Sequence, residues 1–113
     1  MSLDELKLLN DIKVSISLID VHLDYKRNFE AYINNITSRR AVERELEIIG
    51  EAISKILKIN PSIPLSYARL IVDLRNKIIH SYDNINNVII WKILVKDIPV
   101  LQQEVADLLD TKT

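Results

Sequence analysis

The chain has 113 residues, of which 48% are hydrophobic and 27% charged, and its formal net charge is −1. This length and composition indicate one globular domain over residues 1–113 and exclude a largely disordered chain. The chain has no cysteine and a single glycine, Gly50. Disulfides, thiolate zinc sites, cysteine nucleophiles and glycine-rich phosphate loops are therefore excluded.

The first residues are not those of a secretory signal peptide. Asp4, Glu5 and Asp11 lie where such a peptide would be basic. No apolar run approaches the roughly 18 residues that a membrane span requires. We therefore expect a cytoplasmic protein without a membrane partner. The near-neutral charge also argues against nonspecific coating of nucleic acid, so any RNA contact must use a local patch.

The scarcity of glycine and proline predicts helices, and the first of them covers residues 3–27. Its core-facing stripe repeats at spacings of three and four: Leu9, Ile12, Ile16, Ile19 and Leu23. A second apolar stripe lies beside the first: Val14, Leu18, Val21 and Tyr25. A face this wide exceeds what one neighbouring helix needs, so the helix either lies centrally in a bundle or meets another subunit.

Residues 28–36 are predicted to form a short helical turn and a loop, and a second long helix covers residues 40–59. Thr37 or Ser38 is its expected N-cap. Its core stripe is Val42, Leu46, Ile49, Ile53 and Ile56. Gly50 costs a helix interior about 1 kcal/mol relative to alanine. Its presence there indicates that another backbone packs closely against that spot.

The third predicted helix covers residues 65–79, with an inward stripe of Ile71, Leu74 and Ile78. Asn86 is the expected N-cap of a further helix over residues 87–97. Pro99 then either kinks this helix or opens a final one, which ends near Leu109. No strand-like alternation occurs. The expected fold is an all-α antiparallel bundle of four to five helices.

The candidate catalytic residues lie near the end of the third predicted helix: Arg75, Asn76 and His80. Asn76 and His80 are four positions apart and share a helix face. Arg75 lies five positions before His80, about 140° away around an ideal helix. Arg75 and His80 can converge on one ligand only if the helix loosens near Ile79, or if a second subunit supplies one of them.

These residue types suit the cleavage of a phosphodiester. Histidine exchanges protons near neutral pH, and the arginine fork binds phosphate and holds developing negative charge. RNA carries its own nucleophile, the 2′-hydroxyl group, so the set needs no metal. The alternative is a structural role, in which His80 only interacts favourably with the dipole at the C-terminus of its helix. From the residues alone both interpretations stay open.

Other polar residues suggest less. His22 is expected to be a surface histidine, and two histidines on separate helices do not indicate zinc. Arg39, Arg40 and Arg44 lie among glutamates and predict a solvated, salt-bridged face, with RNA or partner contact as the alternative. Tyr82, in a polar segment, could stack on a base or close over the core.

Residues 75–82 resemble the R-x4-H-x-Y motif of HEPN-domain proteins, in the HepT-like toxin branch. The resemblance extends to residues 46–52, which include the glycine of the family's central helix, and to the segments 63–64 and 97–99. Two positions depart from the family pattern. Asp73 replaces a residue that is often small and is expected to pair with Arg75 or Lys77. Asn84 lies where the family often has glycine, and asparagine tolerates the same backbone conformation.

The resemblance implies a metal-independent and cofactor-free ribonuclease toxin of a type VII toxin–antitoxin pair. It implies a two-fold homodimer in which the two motifs face each other. Arg75 would bind phosphate and stabilise negative charge in the transition state. His80 would act as a general acid or base, and Asn76 would orient the site. The implied partner is a minimal nucleotidyltransferase antitoxin that adenylylates Tyr82. The alternative is a non-catalytic HEPN module that serves this enzyme as a nucleotide-binding or scaffolding partner.

Overall fold

The structure is a computed structural model that describes residues 1–80 and 85–110, and within these residues it contains helices and no β-strand. The helices are α1 (Leu3–His22), α2 (Phe29–Ile33), α3 (Ile36–Ile59), α4 (Ala68–His80), α5 (Asn87–Lys92) and α6 (Ile98–Asp110), with a π-helical segment (Ile93–Asp97) between α5 and α6. Because α5, the π-helical segment and α6 are continuous, the chain forms a bundle of five helical rods. The expected all-α bundle is confirmed.

The long helix α3 lies at the centre of the bundle. Helices α1, α2 and α4 pack against it, and α6 packs against α1. The predicted core stripes are buried, and the most completely buried side chains include Leu9, Ile12, Ile19, Leu46, Ile49, Ile53, Ile56, Ile71, Ile90, Leu94 and Leu101. This packing fixes the positions of α3 and α4, the two helices that build the site described below.

Helix α1 ends at His22, five residues before the predicted end at residue 27. Asp24 and Tyr25 have φ angles of 55° and 57°, in the left-handed region. A right-handed helix cannot continue through such residues. The backbone N–H of Tyr25 instead donates to the carbonyl oxygen of Asp20 at 2.8 Å, which closes the end of the helix.

The predicted start of the second long helix was also wrong. Helix α3 begins at Ile36, because the side chain of Asn35 accepts a hydrogen bond from the backbone N–H of Ser38 at 3.1 Å. Asparagine is as good an N-cap as serine or threonine. Neither Thr37 nor Ser38 therefore caps the helix, and both lie within its first turn.

Helix α4 begins at Ala68 rather than residue 65, since the residues before it form a turn held by another helix. The backbone N–H of Ser66 donates to Glu104 of α6 at 3.0 Å. At the start of α5, the predicted cap is confirmed: the side chain of Asn86 accepts from the backbone N–H groups of Val88 and Ile89.

The π-helical segment Ile93–Asp97 explains how the chain passes Pro99 without a break. Proline has no N–H to donate to the carbonyl group four residues earlier. The wider π turn shifts the bonding pattern, so that the N–H of Ile98 reaches the carbonyl oxygen of Ile93. Pro99 then lies in the first turn of α6, where its missing N–H is tolerated.

Among the residues described, none of the helices is long and apolar enough to cross a membrane.

Candidate active site

Arg75 lies in a groove between α1, α3 and α4 whose volume is about 310 Å³. Its neighbours in the lining are largely charged: Asp11, Arg44, Glu47, Glu51 and Lys55. Together with Arg75 they make three cations and three anions. The remaining lining residues are apolar, so the groove combines an apolar surface with charges that balance overall.

The guanidinium group of Arg75 is engaged on both of its terminal nitrogens. Nη2 donates to Oε2 of Glu51 at 2.5 Å, and Nη1 donates to Oδ1 of Asn76 at 3.0 Å. Nε is buried and finds no hydrogen-bond partner among the described residues. Asn76 therefore holds one side of the guanidinium group of Arg75.

Gly50 allows Arg75 to reach this position. A Cβ atom placed on Gly50 would lie 2.4 Å from Cβ of Arg75 and 3.2 Å from the carbonyl oxygen of Ile71. The first distance is too short for any non-bonded contact and the second is tight, so only glycine lets α4 approach α3 this closely. The close approach predicted at Gly50 is confirmed, and it brings the stem of Arg75 across the middle of α3.

His80 is the last residue of α4 and its side chain is exposed. The backbone is α-helical through Ile79, so the helix does not loosen there. A regular helix keeps side chains five positions apart about 140° from each other. Ile79 lines the groove with Arg75, whereas His80 is not part of the lining. One copy of the chain therefore does not bring Arg75 and His80 onto one ligand.

The carboxylate beside Arg75 is Glu51 of α3 rather than Asp73. Asp73 is exposed and lines a different groove together with Lys77, between α4 and α5. Tyr82 and Asn84 lie outside the described residues. Sequence reasoning missed Glu51, although its position directly after Gly50 was a usable signal, since the residue next to a close helix contact is well placed to meet the partner helix.

His22 is not a free surface histidine, which corrects the prediction. Its Nε2 lies 2.9 Å from Oε2 of Glu45, a buried residue of α3, and the histidine ring is itself three-quarters buried. The contact arises because α1 and α3 pack side by side, a pairing that the local sequence around His22 does not reveal. His22 therefore joins two helices and is not available as a surface ligand.

The arginines at the start of α3 have mixed environments. Arg44 forms the expected solvated ion pair, with Nη1 3.0 Å from Oε2 of Glu47. Arg39 is less exposed, and its buried Nε has no hydrogen-bond partner among the described residues. Partial burial raises the pKa of the neighbouring Glu43, while Arg39 and Arg40 oppose that rise. The expected salt-bridged face is present at Arg44.

Over residues 1–80 and 85–110, no three or more histidine, aspartate or glutamate side chains are grouped so that they could hold a metal ion.

A sequence model of the family described as Ribonuclease HepT-like matches residues 12–108. The chain is 35% identical over 86 residues to a protein of Caldanaerobacter subterraneus subsp. tengcongensis that is named as a candidate RNase, with 73% of this chain and 74% of the relative covered. A similarly named protein of Methanocaldococcus jannaschii is 39% identical over 83 residues, which cover 69% of this chain and 72% of the relative.

A protein of Thermococcus cleftensis that is named as a probable ribonuclease HepT is 35% identical over 100 residues, with 83% of this chain and 86% of the relative covered. No solved structure gives a significant match. The family match covers α3 and α4 completely, including Gly50, Arg75 and His80. The chain belongs to the ribonuclease HepT-like family.

Proposed function

We propose that this chain is a metal-independent endoribonuclease that uses Arg75 and His80, and that it is the toxin of a toxin–antitoxin pair. The observation that carries the proposal is the position of Arg75. Its guanidinium group is held in a groove opposite a carboxylate, so the groove already accommodates an anion. The ribonuclease names in the family support the same class of activity.

The proposed reaction is an internal phosphoryl transfer within the RNA. A base takes the proton of the 2′-hydroxyl group, whose oxygen then bonds to the adjacent phosphorus atom. The bond from phosphorus to the 5′-oxygen breaks, and an acid gives that oxygen a proton. The products are a 2′,3′-cyclic phosphate and a 5′-hydroxyl group. His80 transfers a proton, Arg75 binds the charged phosphoryl oxygens, and Asn76 orients Arg75.

A two-fold homodimer would bring the two residues together, since one regular α4 helix does not. The second apolar stripe, three residues of α1 and Tyr25 just after the helix, supports this assembly because all four residues are exposed: Val14 49%, Leu18 38%, Val21 50% and Tyr25 74%. Asp11, three positions before Val14, lines the groove of Arg75. The exposed stripe therefore continues into the groove, and a second copy seated on α1 would lie beside Arg75.

RNA cleavage by the purified protein tests the proposal. We expect Arg75→Ala and His80→Ala each to lower the rate by about 100-fold or more, because each removes a group that acts in the transition state. Arg69→Ala is the matched control, since Arg69 is an exposed cation on the same helix. Cleavage by the wild type should persist in EDTA and leave 2′,3′-cyclic phosphate ends. Full activity of His80→Ala would contradict the mechanism.

The same assay tests regulation at Tyr82, which we propose as the residue that the cognate nucleotidyltransferase adenylylates. The added AMP would carry a negative phosphate that competes with the RNA phosphate for the cations of the site. With this enzyme and ATP, the wild type should gain one AMP and lose activity, whereas Tyr82→Phe should stay active and unmodified. Tyr25→Phe is the control, because Tyr25 is 74% exposed. AMP mapped to Tyr25 would reject the assignment.

A second candidate function is a non-catalytic nucleotide-binding or scaffolding partner of the nucleotidyltransferase. It is favoured by one observation, the ion pair of Arg75 with Glu51, which occupies the group that would bind the RNA phosphate. This function predicts a stable complex with the nucleotidyltransferase and no RNA cleavage by the unmodified chain at any protein concentration.

A further inference from the structure

The carboxylate of Glu51 lies between two cations of the groove. Its Oε2 is 2.5 Å from Nη2 of Arg75, and its Oε1 is 3.8 Å from Nζ of Lys55. Each carboxylate oxygen thus faces a different positive group. Carboxylates and phosphates present oxygens of like charge, and both arginine and lysine bind either group. The position of the Glu51 carboxylate therefore marks where a phosphate group would have two cations within reach.

We propose that Arg75 and Lys55 together form the phosphate-binding site of this groove, and that Glu51 occupies this site until RNA displaces it. The inference rests on the proposed function for the identity of the ligand, an RNA phosphodiester. It assigns a binding role to Lys55 and a competing role to Glu51, which lies one helical turn before Lys55 on α3.

The hydrogen bonds of Arg75 identify the partner that an incoming phosphate would displace. Nη2 donates to Glu51, Nη1 donates to Asn76, and Nε is buried. A phosphate that takes the N–H group now donated to Glu51, and so binds closest to the guanidinium charge, must replace that carboxylate. Glu51 is the partner that leaves, because its negative charge repels the incoming phosphate whereas the amide of Asn76 is neutral.

Solvent exposure also favours the departure of Glu51. Its side chain is 44% exposed, so water can solvate the carboxylate as it leaves Arg75. The Lys55 side chain is 59% exposed and can follow the phosphate without breaking any buried contact. Arg75, which is 28% exposed and packed on Gly50, stays in place. The positive charge of Arg75 is then no longer neutralised by Glu51 at the point where the anion binds.

Binding of a fluorescent single-stranded DNA oligonucleotide, followed by anisotropy, tests this inference independently of catalysis. DNA lacks the 2′-hydroxyl group and is not cleaved by the proposed reaction. We expect Glu51→Gln to tighten binding about three- to tenfold, the range for losing a partly exposed ion pair that competes with the ligand. Lys55→Ala in the Glu51→Gln protein should remove part of this gain.

Glu30→Gln is the matched control, because it removes the same charge from an exposed glutamate of α2 that lies outside the lining of the groove. We expect it to change binding by less than about twofold, since its effect is limited to long-range electrostatics. In an Arg75→Ala background, Glu51→Gln should give no gain. Thermal unfolding of each variant confirms that it is folded.

Three results would overturn the inference: equal gains from Glu30→Gln and Glu51→Gln, a gain that persists without Arg75, or binding by Glu51→Gln that is no tighter than that of the wild type. Failure of the proposed function has a different signature. Tighter DNA binding by Glu51→Gln, together with no RNA cleavage by any variant, would retain the phosphate-binding site and reject the ribonuclease.

Discussion

Gly50 shows how a single residue without a side chain positions a charged one. Glycine lowers the intrinsic stability of a helix interior by about 1 kcal/mol relative to alanine. That cost is offset because the missing Cβ leaves room for the stem of Arg75, whose Cβ and Cγ would otherwise lie 2.4 Å and 2.9 Å away. The site therefore depends on steric fit between two helices as well as on charge.

We expect Gly50→Ala to destabilise the protein by about 1–3 kcal/mol, because overpacking against Arg75 outweighs the helix propensity gained. Urea unfolding measures this. In an Arg75→Gly background the obstructing stem is absent, so the same alanine should be neutral or stabilising. An alanine that destabilises equally in both backgrounds would show that the clash with Arg75 is not the cause.

At the scale of single residues, the contacts of the candidate site were the part that the sequence did not predict. Arg75 and Asn76 are hydrogen-bonded to each other, as adjacent residues can be. The partner Glu51 is 24 positions from Arg75, and Glu45 is 23 positions from His22. Such pairs are set by which helices cross and where, and no local pattern around either residue contains that information.

At the scale of elements, helix bodies were predictable, whereas the end of α1 and the starts of α3 and α4 were not. The core-facing stripes of α1 and α3 follow from their spacing, and they are buried as expected. The end of α1 depends on the left-handed Asp24 and Tyr25, and neither is a glycine that would have indicated it. The start of α3 depends on Asn35, one of several acceptable caps in a run of polar residues.

His22 and Glu45 provide a test of how α1 is attached to α3. His22→Ala leaves the buried Glu45 carboxylate without its histidine partner, which should cost about 1–3 kcal/mol. Adding Glu45→Ala should recover part of this loss, because no unpaired charge remains. The control is Lys7→Ala, which breaks an exposed ion pair on α1 and should cost less than about 1 kcal/mol. Equal losses for the two single variants, measured by thermal unfolding, would contradict a buried attachment.

At the scale of the whole molecule, the exposed stripe on α1 is the surface at which the proposed dimer would form. Leu18 lies near its centre and Val88, on α5, is an exposed valine outside it. The sequence predicted that the stripe is wider than one helix contact needs, and the structure leaves it uncovered within one chain. Which molecule covers it depends on complementarity with a second surface, a property that one chain's periodicity does not encode.

We expect the wild type to be a dimer of the 13.1 kDa chain and Leu18→Lys to be a monomer, because a lysine there places a charge in the apolar contact. Light scattering at micromolar concentration measures the mass. Leu18→Lys should also lose RNA cleavage while keeping its helical circular dichroism. Val88→Lys is the control and should stay dimeric. A wild-type mass of one chain at every concentration would reject the dimer.

The packing of α1 against α6 has a consequence for biosynthesis. The part of α1 that packs against α6 stays uncovered on the ribosome until α6, with its buried Leu101 and Val105, has been made, whereas α3 follows α1 much sooner. At typical rates of elongation, the interval between the end of α1 and the end of α6 is on the order of 5–20 s. A nascent chain therefore completes the core around α1 only after α6 has been made, although the three helices that line the groove of Arg75 have all been made before it.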